Sequence, residues 1–238
     1  MSRGRTKRRV LHTSDLHLAS LSDRNCETFK EVVDYVNKTD VDLVVIVGDL
    51  FDHNRVDDEL VCFVAEQLRK LAVPVAILAG NHDCLVSDSV FGRTPLWQSC
   101  PNVHIFRGGE GETVDFSEPG ISVWGKSIDT YEGHIHPLAG IPQRVKNGRW
   151  HIAMAHGYYV SVHPPLFPSY HITQDEIVTS GCDYIALGHI AGFSRVCDGP
   201  VIACYSGSPS LTGTVTLVEL SEEGVVATQQ PLRPMAKP

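Results

Sequence analysis

The stretch Val44-Val45-Ile46-Val47-Gly48-Asp49-Leu50-Phe51-Asp52 constrains this chain more than any other. A short apolar run this rich in valine and isoleucine predicts a strand buried on both faces. Glycine ends the run, and carboxylates follow at Asp49 and Asp52. An unpaired buried carboxylate costs on the order of several kcal/mol. A buried strand that delivers acidic groups at its C-terminal tip is therefore a poor core element, unless a cation removes that cost. The stretch predicts a metal site, and the remaining ligands must come from elsewhere in the chain.

The segments around it supply candidates. Val10 to Thr13 predicts a short strand leading into Ser14-Asp15-Leu16-His17. In extended backbone Asp15 and His17 share one face, where a carboxylate and an imidazole can hold one divalent ion. Alone, such a pair is more often a capping aspartate beside a surface histidine. An amphipathic helix is expected over 24–38, with Phe29, Val32, Val33 and Val36 on one side. A second runs from 57 to about 71, opened by Asp57-Asp58-Glu59. Val73 to Ala79 is a third apolar strand, ending in Gly80-Asn81-His82-Asp83. This alternation predicts a parallel sheet, whose ligands gather beyond the carboxyl ends of the strands. Asp15, His17, Asp49, Asn81 and His82 all fall there.

Further strands are expected at 103–106, 121–124, 150–155 and 183–187. The last two end in His156-Gly157 and Gly188-His189. The region 126–149 predicts an irregular loop of functional length. The tail predicts antiparallel strands at 201–204, 214–220 and 225–229, with a tight turn at Ser206-Gly207-Ser208-Pro209 between the first two. No repeat or internal boundary interrupts the pattern. One domain is expected over 10–230, between a basic, disordered tail at 1–9 and a second tail at 231–238.

The chain's 238 residues, 42% hydrophobic and 20% charged, suffice for one large α/β domain. No apolar run approaches the roughly 18 residues of a membrane span, so no membrane partner is expected. A net charge of −8 disfavours nonspecific nucleic-acid binding. Arg3, Arg5, Lys7, Arg8 and Arg9 leave a nucleic-acid arm as an alternative to a plain tail. The seven cysteines contain no C-x-x-C pair. That pattern suggests reduced thiols in a cytoplasmic protein and not a disulfide framework or zinc ribbon. The sequence does not set the oligomeric state.

Taken together, Asp15-x-His17, Gly48-Asp49-x-x-Asp52, Gly80-Asn81-His82-Asp83, His156 and Gly188-His189 resemble, in order, the motifs of the calcineurin-like metallophosphoesterase superfamily. The resemblance covers about residues 10–220. Around Ala186-Leu187-Gly188-His189 and Tyr205-Ser206-Gly207-Ser208-Pro209 it is nearest in style to the branch of DNA-repair exonucleases and small phosphodiesterases. It implies a four-layer αββα sandwich with two central mixed β-sheets. It also implies two divalent metals bridged by Asp49, the first held by Asp15 and His17, the second by Asn81, His156 and His189. His82 is implied as the acid or phosphate-contacting group, oriented by Asp52. Asn81, His82, His163, His171 and Ser208 are the candidate substrate contacts. Oxygen and imidazole donors suit manganese, iron or zinc better than calcium. Two such ions about 3.5–4 Å apart lower the pKa of a shared water and clamp a phosphate.

One position departs from the family pattern. The family usually reads Gly-His-x-His, and here the stretch is Gly188-His189-Ile190-Ala191. Alanine cannot ligate. The first metal then binds more weakly with water in the open position, or another histidine replaces the missing one, or the site stays empty and activity is impaired. Gly133-His134-Ile135-His136 matches the missing motif but comes before His156, so coincidence or a loop over the site is the reading preferred for it. His12 is expected in the core or behind the ligands, and His53, His104 and His151 as structural. The function these readings support is hydrolysis of phosphoesters, foremost phosphodiesters, by a metal-activated hydroxide. The alternatives are a DNA exo- or endonuclease module and a non-catalytic scaffold that keeps the fold.

Overall fold

The organising stretch forms β2 (Leu43–Val47), and every one of its residues is buried. In the computed structural model, which describes residues 5–145, 147–161 and 170–233, it lies between β1 (Arg8–Thr13) and β3 (Val75–Leu78), parallel to both. β4 (Val103–Ile105) extends the parallel run. The hairpin of β13 (Thr214–Ser221) and β14 (Gly224–Pro231) pairs antiparallel to β1 and completes a six-stranded sheet.

Helices α1 (Arg24–Lys38) and α2 (Asp58–Arg69) cover the outer face of this sheet. The Asp23 carboxylate caps α1 by accepting from the Asn25 amide. Cys26, Phe29, Val32, Val33 and Val36 then fall on the buried side, and each fully buried aliphatic or aromatic side chain there contributes about 1.5–3 kcal/mol.

A second six-stranded sheet contains β5 (Glu112–Phe116), β6 (Ile121–Gly125), β7 (Trp150–His156), β10 (Tyr184–Gly188), β11 (Ser194–Asp198) and β12 (Ile202–Tyr205). Its order is β11-β12-β10-β7-β6-β5, parallel in the middle and antiparallel at both edges. Val10, Val45, Val47 and Leu78 of the first sheet pack against Val123, Ile152, Met154 and Ala186 of the second. The outer face of the second sheet is covered through Leu138, Ile172 and Ile177. The latter two come from a two-stranded sheet, β8 (Tyr158–Val160) with β9 (His171–Thr173), and from the six-residue α4 (Gln174–Thr179). The expected αββα arrangement is present, with a thin fourth layer.

Two expectations need correction. Residues 201–204 and 214–220 do not pair with each other. β12 pairs with β10 and β11, whereas β13 pairs with β1. The Ser206-Gly207-Ser208-Pro209 stretch is a crossing from one sheet to the other, and it opens the short α5 (Pro209–Thr212). The basic start is also part of the fold from Arg5 onward, and not a disordered tail up to Arg9. Arg5 bonds Asp183 at 2.7 Å and lies 3.6 Å over the Trp150 ring. Arg8 pairs with Asp42, and Lys7 and Arg9 with Glu219. Setting these cations against carboxylates and an indole gives the segment a structural use. The seven cysteines are all unpaired. No described helix is long and apolar enough to cross a membrane.

His12 sits in the core, as expected, fully buried, with Nδ1 2.8 Å from the Tyr184 hydroxyl of the facing sheet. Burial pushes its pKa down to about 3. The unfolded chain therefore takes up a proton that the folded one refuses, and the stability tied to a neutral His12 is complete above its unfolded value. It is lost as the pH falls toward about 3. Urea unfolding of wild type should lose about 2 kcal/mol more than His12→Gln between about pH 7 and pH 5. Equal losses would remove His12 as the acid-sensitive group.

Candidate metal centre

Four strands of the two sheets deliver their C-terminal tips to one place. Asp49 follows β2, Asn81 and His82 follow β3, His156 ends β7, and His189 follows β10. Glycines let these tips meet. Gly48 has φ +79°, and a Cβ on it would stand 2.0 Å from His156 Nδ1. A Cβ on Gly80 would stand 2.2 Å from Asp49 Oδ1. Neither position tolerates a side chain, which explains the glycine before each ligand motif.

Asp15, His17, Asp49 and His189 themselves adopt positive φ, at 54°, 47°, 51° and 105°. Non-glycine residues there carry strain of about 1–3 kcal/mol each, which persists only where the surroundings over-determine it. This corrects the expectation that strand alternation puts Asp15 and His17 on one face. β1 ends at Thr13. Both residues reach the site through left-handed turns, tied by the Asp15 amide donating to Gly48 O and the His17 amide to Asp49 O.

Two groups of candidate ligands share Asp49. The first contains Asp49, His156 and His189. Asp49 Oδ2 is 3.3 Å from His156 Nε2. Asn81 Oδ1 is 3.1 Å from His156 Nε2 and 3.0 Å from His189 Nδ1, and the two ring nitrogens are 3.3 Å apart. His156 Nδ1 donates to Val47 O at 2.9 Å. That bond fixes the ring and turns Nε2 toward the cluster, the usual device for orienting a metal-binding imidazole. The second group is His17, Asp49 and His82. His17 Nε2 is 3.8 Å from Asp49 Oδ2, and the two rings meet edge to face at 4.7 Å. Asp15 accepts from the His189 amide at 3.2 and 3.1 Å and belongs to neither group.

The electrostatics fit a cation. Burial opposes a charge on His156, yet the Asp49 carboxylate outweighs it and raises His156 to about 9. Burial likewise opposes the Asp49 charge, but His156 holds Asp49 below the usual carboxylate range. Burial and the neighbouring His156 charge push His189 down. Buried oxygens and imidazoles aimed at one point are the donor set of a borderline divalent ion, and the residues present fit such an ion.

Asp52 meets His82 more closely through its main chain than through its carboxylate. Its carboxylate lies 3.2 Å from His17 Nδ1 and 3.7 Å from His82 Nδ1. His82 is held instead by Nδ1 donating to the Asp52 carbonyl at 2.8 Å, and its amide donates to Asp49 Oδ1 at 2.9 Å. Sequence reasoning gave no role to Asp83. It is fully buried, and its two oxygens accept from the Gly80 and Phe51 amides at 2.7 and 3.1 Å. It braces the turn after β3 to the turn after β2, and burial together with the Asp49 charge raises it to about 7.

The remaining candidates divide. Beside Asp52, Asn81 and His82 opens a cleft of about 490 Å³, also lined by His53, Asn54, Arg55, Asp88 and Tyr131. Neither His171 nor Ser208 lines it. His171 is buried in β9, and Ser208 is buried with its amide on Ala191 O. His163 lies outside the described residues. His134 and His136 join neither ligand group, and His136 faces Glu176 at 3.4 Å. Ala191 is exposed, and its methyl offers no donor.

A family model described as calcineurin-like phosphoesterase matches residues 8–193. The chain is 29% identical over 204 residues to YhaO of Bacillus subtilis, called an uncharacterized metallophosphoesterase, covering 76% of this chain and 48% of that protein. It is 34% identical over 85 residues to the DNA double-strand break repair protein Mre11 of Methanopyrus kandleri, covering 32% of this chain and 19% of that one. The chain thus spans about half or less of these relatives' length. Among solved structures, a dimetal phosphatase from Danio rerio is similar with a TM-score of 0.61 at 13% identity, over 94% of this chain and 96% of that one. A structure described as an archaeal phosphodiesterase has a TM-score of 0.50 at 14% identity, over 93% and 99%. At such identities the structures speak for the fold.

Proposed function

Because the chain belongs to the calcineurin-like phosphoesterase family, we propose that it hydrolyses phosphodiesters with divalent metals held around Asp49. The observation that carries this is the meeting of Asp49 Oδ2, Asn81 Oδ1, His156 Nε2 and His189 Nδ1 at separations of 3.0–3.3 Å, beside an open cleft. Bound ions of this kind make water nucleophilic at neutral pH and offset phosphate charge. Asp49 serves both ligand groups; His17 stands with it in one, where His82 also lies, and His156 with His189 in the other. Asn81 turns its amide oxygen to the group of His156 and His189, leaving its NH₂ free to contact a phosphate oxygen. His82, half-exposed at the cleft, has Nδ1 committed to the Asp52 carbonyl, so Nε2 is the atom that meets the substrate. In the imidazolium form Nε2 also carries a proton, and its delivery to the departing alkoxide would be worth about 10²–10⁴ in rate.

The diester preference follows from charge. A monoester dianion needs more compensation than a diester monoanion, and Ala191 takes a ligand away from the group that contains His17. Protein loaded with manganese should cleave bis(p-nitrophenyl) phosphate faster than p-nitrophenyl phosphate. The opposite order would overturn the preference. A nuclease reading is favoured by the similarity to Mre11, although that match covers 32% of this chain. Degradation of single-stranded DNA by the same preparation distinguishes it. The assembled ligands speak against a non-catalytic scaffold.

A further inference from the structure

The cleft beside His82 contains an aromatic ring that the reaction does not require. Tyr131 is 63% exposed, far more than a ring of this size usually is in a folded chain. It is nonetheless fixed. Its hydroxyl accepts from Asn54 Nδ2 at 3.3 Å. Asn54 is itself buried and anchored twice, by Nδ2 donating to Cys84 O and by Oδ1 accepting from the Val90 amide, both at 2.9 Å. The turn carrying Tyr131 is braced on both sides. The Tyr170 hydroxyl donates to Thr130 O at 3.1 Å, and the Tyr170 amide donates to Gly133 O at 2.9 Å. A ring tethered by its polar end and bare on its flanks has little rotational freedom left to lose when something packs on it. Arg55 lines the same cleft and makes no ion pair among the described residues. Thus a flat surface and a cation, with Asp52 and Asp88 in the same lining, face the space where the substrate must enter.

We propose that Tyr131 is a specificity-determining residue, a stacking platform that selects phosphodiesters carrying a flat heteroaromatic group such as a nucleobase, with Arg55 drawing the anionic part into the cleft. This rests on the reading that the cleft beside His82 is where the phosphoester binds. Stacking on an aromatic side chain tolerates any base, because every base has a π-face, so the platform selects nucleotidyl over alkyl groups without selecting among bases.

The test compares two ligands that differ only by the base, adenosine monophosphate and ribose phosphate, titrated calorimetrically into manganese-loaded protein. Wild type should bind adenosine monophosphate roughly tenfold more tightly or better. Tyr131→Ala should bring the two affinities together, while Tyr131→Phe, which keeps the ring, should preserve the difference. Equal affinities in wild type, absence of binding by both ligands, or a base preference that survives Tyr131→Ala would each overturn the proposal. Turnover of bis(p-nitrophenyl) phosphate, measured in parallel, separates this inference from the hydrolase reading. Turnover without a base preference sinks the platform alone. A Tyr131-dependent base preference in a protein without turnover upholds the platform and sinks the hydrolase.

Discussion

Asp49→Asn is expected to abolish manganese binding and to lower phosphodiester turnover on the order of 10⁴-fold, the scale on which an acting unit fails when its shared member is removed. Asp49 is the one residue common to both ligand groups. The asparagine substitution keeps an oxygen that can accept from the His82 amide, as Asp49 Oδ1 does at 2.9 Å, so the turn after β3 retains its tie. What disappears is the charge that holds His156 protonated in the absence of metal and that offsets a divalent ion in its presence. Metal analysis of the dialysed variant, together with its turnover at saturating manganese, reads both effects. Turnover within tenfold of wild type would show that the cation is held elsewhere.

Gly188→Ala is expected to destabilise the fold by about 4 kcal/mol or more. A Cβ there would lie 1.8 Å from Val47 O and 2.8 Å from His156 Nδ1. Val47 O is the acceptor that fixes the His156 ring, so the clash strikes the backbone of β2 and the imidazole it orients together. Neither sheet can retreat without opening the core between them. Gly199→Ala is the control, since nothing lies within 4 Å of its added carbon, and its effect should stay within about 0.5 kcal/mol. Urea unfolding of the two variants beside wild type gives the comparison. A Gly188→Ala protein as stable as the control would mean that the two sheets approach less closely at this point than described.

The parts of this molecule legible in the sequence are those whose signal is local. α1 begins where Asp23 can cap it and where Phe29, Val32, Val33 and Val36 start their period. β2, β3 and β10 are apolar throughout, β7 breaks only at His151, and each run leads to a candidate ligand at its end or within three residues beyond it. The edge strands β5 and β11 escaped because they are half-exposed, five residues long and rich in polar side chains. α4, at six residues, is too short to show helical periodicity, and its capping box of Thr173 and Glu176 was its only clear signal. The placement of Asp15 and His17 was inferred from the wrong backbone, because left-handed turns at non-glycine residues leave no mark in composition. Asp83 went unread for a different reason. Its partners are main-chain amides from two separate turns, brought within reach only by the fold.

The ties made by Arg5 set an orientation for the whole molecule. Arg5 reaches Asp183, just ahead of β10, and Trp150, the first residue of β7. Those are the entry ends of strands whose exit ends carry His156 and His189. A bead or sensor chip coupled through the N-terminal segment would therefore grip one pole of the sandwich and leave the opposite pole, with its cleft, turned toward the bulk solution.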